Sequence, residues 1–280
     1  MASSLHLKIG VLCDNNGTVL DVKLATTLNE FLQPQSEVSI RDAAQSILTH
    51  LPADKPYSDE AFAFVDLIVE IAVQIPYQHP SHARLVRLLK YLTQSPKVVS
   101  RSTMEGEEEL CINFQALGEQ LRDNFQGPEA EQTPLEWVNY HAFLARLEAA
   151  GVWTAGLPSF AVWEMRDAFE AEQSAKGEDQ DQLHQYHVMA AAQWILWNGQ
   201  EIYKYMANPL PVSDVDEKTW WLGDCCTPSS MPVVSLARWQ FWKEGFRAAG
   251  AERGDGSLEC KDLAGRAAAL MDVIEKSMSF

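Results

Sequence analysis

The stretch "TPLEWVNYHAFLARLEAAG", Thr133–Gly151, specifies its secondary structure from both ends. Thr133 and Glu136 have the spacing of a capping box, in which each side chain satisfies a backbone N–H left over at the helix start. Pro134 falls at the first helical position, where a missing N–H costs nothing, and Gly151 can take the left-handed conformation that closes a helix. A helix over 134–150 follows.

Working outward, the same helical period recurs almost everywhere after Leu20. "LATTLNEFL" and "SIRDAAQSILTHL" come first, the second with Ser39 as its cap and Asp42 near its start. "SDEAFAFVDLIVEIAVQI" is capped by Ser58, stopped by Pro76 and apolar on most sides, which predicts a central helix. The short turn "PYQHP" then predicts an antiparallel partner in "SHARLVRLLKYLTQ". Beyond Gly151 come "PSFAVWEMRDAFEAEQSA", the long "DQLHQYHVMAAAQWILWNGQEIYKYM" with Gly199 as its weak point, "SLARWQFWKEGFRAAG" and "LECKDLAGRAAALMDVIEKSM". Only "KIGVL" and "MPVVS" offer strands. The expectation is an all-α fold of about nine or ten helices in a single domain over 1–280. Residues 95–111 are polar and aperiodic, hence a loop or a boundary between two lobes.

"PLEWVNYHAFLARLEAAGV", "AVWEMRDAFE", "AAAQWILWNGQEIYKYM" and "SLARWQFWKEGF" resemble a fungal family of all-helical proteins of unknown function. The resemblance is specific over 134–247, within a family-like half spanning 112–280, and fainter through "DLIVEIAVQIP". It implies an all-helical fungal intracellular protein and carries no catalytic residues with it.

Composition narrows the partners. Carboxylates outnumber Lys and Arg by 39 to 22, a formal charge of -17 that repels nucleic acid and anionic membranes. The basic cluster Arg84, Arg87 and Lys90 is too small to reverse this. Cys13, Cys111, Cys225, Cys226 and Cys260 form neither a disulfide framework nor a zinc motif. No basic leader and no apolar run of about 20 residues occurs, so the expected compartment is the cytoplasm, with no membrane span.

"GVLCDNNGTVLD", Gly10–Asp21, has the outline of a haloacid-dehalogenase phosphatase motif with Asp14 as nucleophile. Asn16 stands where the general acid belongs, and an amide cannot protonate a leaving group. The parallel strands that such chemistry needs are also missing, so an Asn16-Gly17 turn is the simpler reading. His184 and His187, with Asp181 before them, could place two ligands on one helix face, but no third ligand is readable. His50, His79, His82 and His141 are scattered, and no nucleophile elbow, Walker loop or dinucleotide fingerprint occurs.

Two constellations remain. Nine tryptophans invite an aromatic pocket, with Trp163, Trp194, Trp197, Asn198, Glu201, Arg238, Trp239 and Trp242 as its candidate lining, although core packing explains the same residues. Arg238 and Trp242 stand four apart and suit a local stacked pair. Asp66, Glu70 and Gln74 form a polar stripe on an apolar helix, facing Arg84 and Arg87, water, or a magnesium ion. The leading expectation is a non-catalytic intracellular binding protein for a small apolar molecule or a protein partner, with no cofactor. The alternative is an enzyme on a bulky apolar substrate, in its most concrete form a magnesium-dependent isoprenoid-diphosphate cyclase using Asp66 and Glu70.

Overall fold

A computed structural model of the chain describes residues 3–10, 19–53, 58–102, 110–113, 115–125, 127, 134–153, 158–172, 178–208, 220–226, 231–251 and 257–278. Among them are ten helices: α1 Val19–Leu32, α2 Ile40–His50, α3 Asp59–Gln74, α4 Ser81–Leu92, α5 Gln115–Asp123, α6 Pro134–Ala149, α7 Ser159–Phe169, α8 Glu178–Ala207, α9 Leu236–Ala251 and α10 Leu258–Met278. The fold is all-α, with one antiparallel hairpin of β1 Val99–Ser102 and β2 Leu110–Asn113, paired from Val99↔Asn113 to Ser102↔Leu110. Its four-residue strands are too short to show an alternating pattern, which is why 95–111 reads as loop. No described helix is long and apolar enough to cross a membrane. Asp14, Asn16, Gly17 and Thr133 lie outside the described residues.

The chain divides into two compact units, Met1–Glu129 with Arg146–Thr154, and Ala130–Ala145 with Ala155–Phe280. In the first, α3 buries Phe64, Val65, Ile68, Ile71 and Ala72 and packs on α5 and α1. Ser58 and Ser39 accept from the Ala61 and Asp42 N–H groups, the caps the sequence foretells. Lys97 Nζ reaches the Leu48 and Leu51 carbonyls at 2.6 and 2.7 Å and closes the end of α2. Gly151 stands at φ +60, and Val152 N–H bonds the Leu147 carbonyl across it, a Schellman closure.

One expectation for this unit fails, and another holds only in part. Helices α3 and α4 do not pair lengthwise: α4 packs on α2 and α1 instead. Ile75 is extended, and Pro76 and Pro80 carry the chain away from the axis of α3. The stripe on α3 does not turn to Arg84: Asp66 faces water, and the other two residues hold backbone. Glu70 Oε1 accepts from Gly10 N–H at 2.7 Å, and the Gln74 amide holds both Lys8 N–H and Lys8 C=O, at 2.7 and 3.0 Å. Gln33 does the same to Leu5, at 3.1 and 3.2 Å. Lys8–Gly10 is therefore not a strand; side-chain amides stand in for a neighbouring strand along residues 5–10, with Ile9 buried beneath. Asp66 is exposed, and Arg84 lies over the Phe31 ring with its NH1 on the Gln33 carbonyl.

The second unit is built on α8, 30 residues long, which packs on α7, α9 and α10. The run Ala190–Ala192 is fully buried and lets neighbouring helices come close. Gly199 serves the same approach, since a Cβ there would meet Ile274 Cδ1 at 3.0 Å. What reads as a weak point in the sequence is a contact point.

His82 in the first unit lends itself to a pH test. Burial and then the Arg146 charge outweigh the Ile75 carbonyl bond at 2.7 Å and, with a smaller push from His79, bring its pKa down to about 3. The unfolded chain binds that proton below about 6.5 while the folded chain does not, so stability falls as pH drops from about 6.5 toward about 3. Denaturant titrations of wild type and His82→Gln across that range should give the variant a shallower acid limb, by up to one proton's worth of slope.

Candidate functional site

The short helix α7 carries two carboxylates into the second unit, and what meets each decides its chemistry. Glu170, just past its last turn, meets Arg238 of α9, both side chains having no exposure. The guanidinium grips it at both oxygens, Nε to Oε1 at 2.7 Å and NH2 to Oε2 at 2.9 Å. Trp242 Nε1 and Gly223 N–H donate to the same carboxylate at 2.6 and 2.9 Å. Remaining guanidinium donors reach the Trp220, Trp221 and Val233 carbonyls. The Arg238–Trp242 stack is present at 5.3 Å. Every part of this arrangement is satisfied internally, as a structural ion pair requires.

Glu164 meets imidazoles instead. It has no exposure; its Oε1 accepts from Trp137 Nε1 of α6 at 3.2 Å and from His187 Nδ1 of α8 at 3.0 Å. Its Oε2 lies 3.3 Å from His141 Nε2. Trp194 Nε1, a donor only, gives its hydrogen to His141 Nδ1 at 2.8 Å, so the neutral ring carries its proton on Nε2, toward Glu164. Trp137 lies edge-on to His141 with ring centres 4.4 Å apart, which completes an aromatic wall around the carboxylate. One helical turn on, Asp167 stands exposed, and a ligand atom each from Glu164, Asp167 and His187 lie within 4.8 Å of one another.

The protonation states follow from this geometry. Burial alone raises the Glu164 carboxyl, but the imidazoles and the His187 and Trp137 hydrogen bonds outweigh it and hold it below the usual carboxylate range. Burial brings His141 down to about 4 against the pull of Glu164, so His141 is neutral at pH 7, and His187 is the imidazole whose charged form Glu164 favours. Burial opposes that charge on His187, yet Glu164 and then Asp167 win and raise its pKa. Although the Asp167 side chain reaches solvent, the protein around its carboxyl and then the Glu164 charge push it up to about 6, against His187 and Arg166. Asp167, pushed up to about 6, and His187, raised above its ordinary value, thus share one edge of a sealed carboxylate.

The residues singled out in the sequence fall in several places. Arg238 and Trp242 converge on Glu170, and Trp194 belongs to the Glu164 group. Trp239 donates to Glu275 of α10, which also holds Lys243. Trp163 rests edge-on against Phe160, and Asn198 is buried. Trp197 is 48% exposed, and Glu201 pairs at the surface with Lys204. Of the histidine pair on α8, His187 joins the cluster, while His184 is partly exposed. Asp66 and Glu70 lie in the first unit. Sequence reading missed Glu164, Asp167 and Glu170. The available signal was the tryptophans: fully buried indoles bring N–H donors that must find acceptors, and Trp137, Trp242 and Trp239 all end on carboxylates.

Glu170→Ala would leave the Arg238 guanidinium buried without its counter-charge. It should cost about 3–5 kcal/mol in the unfolding of the second unit, read by chemical denaturation followed through tryptophan emission.

No curated protein and no solved structure gives a significant match to this chain. One family does, over residues 66–246, which run from α3 into α9 and include Glu164, Asp167, Glu170, His187 and Arg238. That stretch is more than half of the chain, and the protein therefore belongs to DUF3632, a family described as of unknown function.

Proposed function

We propose that this chain is a non-catalytic binding protein, whose second unit takes a small ligand at the His187–Asp167 edge of the aromatic-walled Glu164 cluster. One observation carries the reading. A carboxylate with no exposure is shared between two imidazoles under Trp137 and Trp194, and among its described neighbours His187 is partly exposed and Asp167 exposed. A polar centre that orients, set in an aromatic surround that excludes water, is what small-molecule sites consist of. The reading does not need the cyclase alternative, whose Glu70 is engaged with the Gly10 N–H. The exposed Cys225 thiol suits a reducing, intracellular setting, and the family resemblance suggests a fungal one.

Native mass spectrometry of the full chain as purified tests this reading. The expected result is a ligand, organic or inorganic, at about one per chain that is lost in His187→Ala. A wild-type mass equal to that of the bare chain, unchanged after incubation with cell-extract metabolites and metal salts, would sink it.

A further inference from the structure

The geometry points to a divalent transition-metal site at Glu164, Asp167 and His187. This inference rests on the binding reading above and names what its edge takes.

The donor set comes from two helices. Glu164 and Asp167 stand three apart on α7 and so share a face, and His187 comes from α8, which packs against it. One imidazole with two carboxylates is the ligand mixture of first-row transition ions, whereas magnesium and calcium prefer oxygen alone. Spacing agrees. Two ligand atoms each about 2.1 Å from a zinc ion stand roughly 3.0 to 3.4 Å apart. The His187 Nδ1–Glu164 Oε1 separation is 3.0 Å, so a metal can replace the shared proton with little movement of either group. All three candidate ligand atoms already lie within 4.8 Å of one another. Asp167, exposed, can swing the remaining distance and leaves the outer side of the ion to water.

Two observations beyond the three ligands favour an ion. Glu164 is held from behind, by Trp137 Nε1 on Oε1 and by the His141 ring beside Oε2, which is in turn fixed by Trp194. Such outer partners orient metal ligands in known sites. Glu164 Oε2 is also sealed from solvent, with the His141 Nε2–H 3.3 Å away and short of good hydrogen-bond geometry, so the carboxylate retains acceptor capacity. Charge balances as well: two carboxylates and an uncharged imidazole meet one dication. Arg166, beside Asp167, is drawn over the Trp221 ring at 5.6 Å, and Glu170 is neutralised by Arg238.

The test uses the full chain stripped with chelator and titrated calorimetrically with Zn2+, with Co2+ as a spectroscopic probe and Mg2+ as a control. Expected are one Zn2+ per chain, a Co2+ visible band, and affinity lost at least tenfold in both His187→Ala and Asp167→Asn. Glu201→Gln, an exposed carboxylate change on the same helix as His187, should leave affinity unchanged. The acidic surface attracts cations diffusely, so binding that survives in both ligand variants, or Mg2+ binding as tight as Zn2+, overturns the site. So does no Zn2+ binding at all. An organic ligand that depends on His187 without Zn2+ would overturn the metal alone and leave the binding reading standing; neither ligand would overturn both.

Discussion

The second unit depends on placing a full positive charge where water cannot reach. Arg238 is buried with every guanidinium nitrogen engaged, and its partner Glu170 is equally sealed. Such a pair is weak as a source of stability, since apolar residues of similar volume often do as well. Its value is geometric. From one side chain, bonds run to the end of α7, to the backbone of Trp220 and Trp221 and to Val233. The described backbone at Trp220, Trp221 and Val233 is thereby tied to α7 by a single planar fork.

Six residues earlier on the same helix, Glu164 is buried just as deeply but faces imidazoles. A guanidinium holds its charge at any physiological pH, whereas an imidazole can give its proton away. The two carboxylates therefore separate into a permanent pair and an exchangeable one. The tryptophans serve both, Trp242 at Glu170 and Trp137 at Glu164, each as a donor that cannot accept. Their number in this chain is thus tied to the burial of acids as much as to apolar packing.

Legibility in the sequence followed range. Ser39, Ser58 and Gly151 act within a few residues of themselves, and their roles could be read directly. The apolar period of the helices is local in the same sense, and it established the all-α class. Glu164 and Glu170 look like ordinary acids on the polar side of a short helix, because their partners lie 23, 27, 68 and 72 residues away. The stripe on α3 was visible as unusual, but its partners were backbone groups of residues 8 and 10, which no side-chain pattern announces. His187 was singled out together with His184, whereas its neighbours at the cluster are Glu164 and Asp167.

The Gln33 and Gln74 clamps have a consequence for how this part of the chain can change. Each amide reads one N–H and one C=O, groups that every residue except proline presents. Recognition of residues 5 and 8 is thus nearly blind to side-chain identity, and the information in the segment is its register. Point changes at Leu5 and Lys8 are cheap, whereas inserting or deleting one residue between them would misalign both clamps and drag Ile9 out of its place. In this segment length, more than letters, is the heritable quantity.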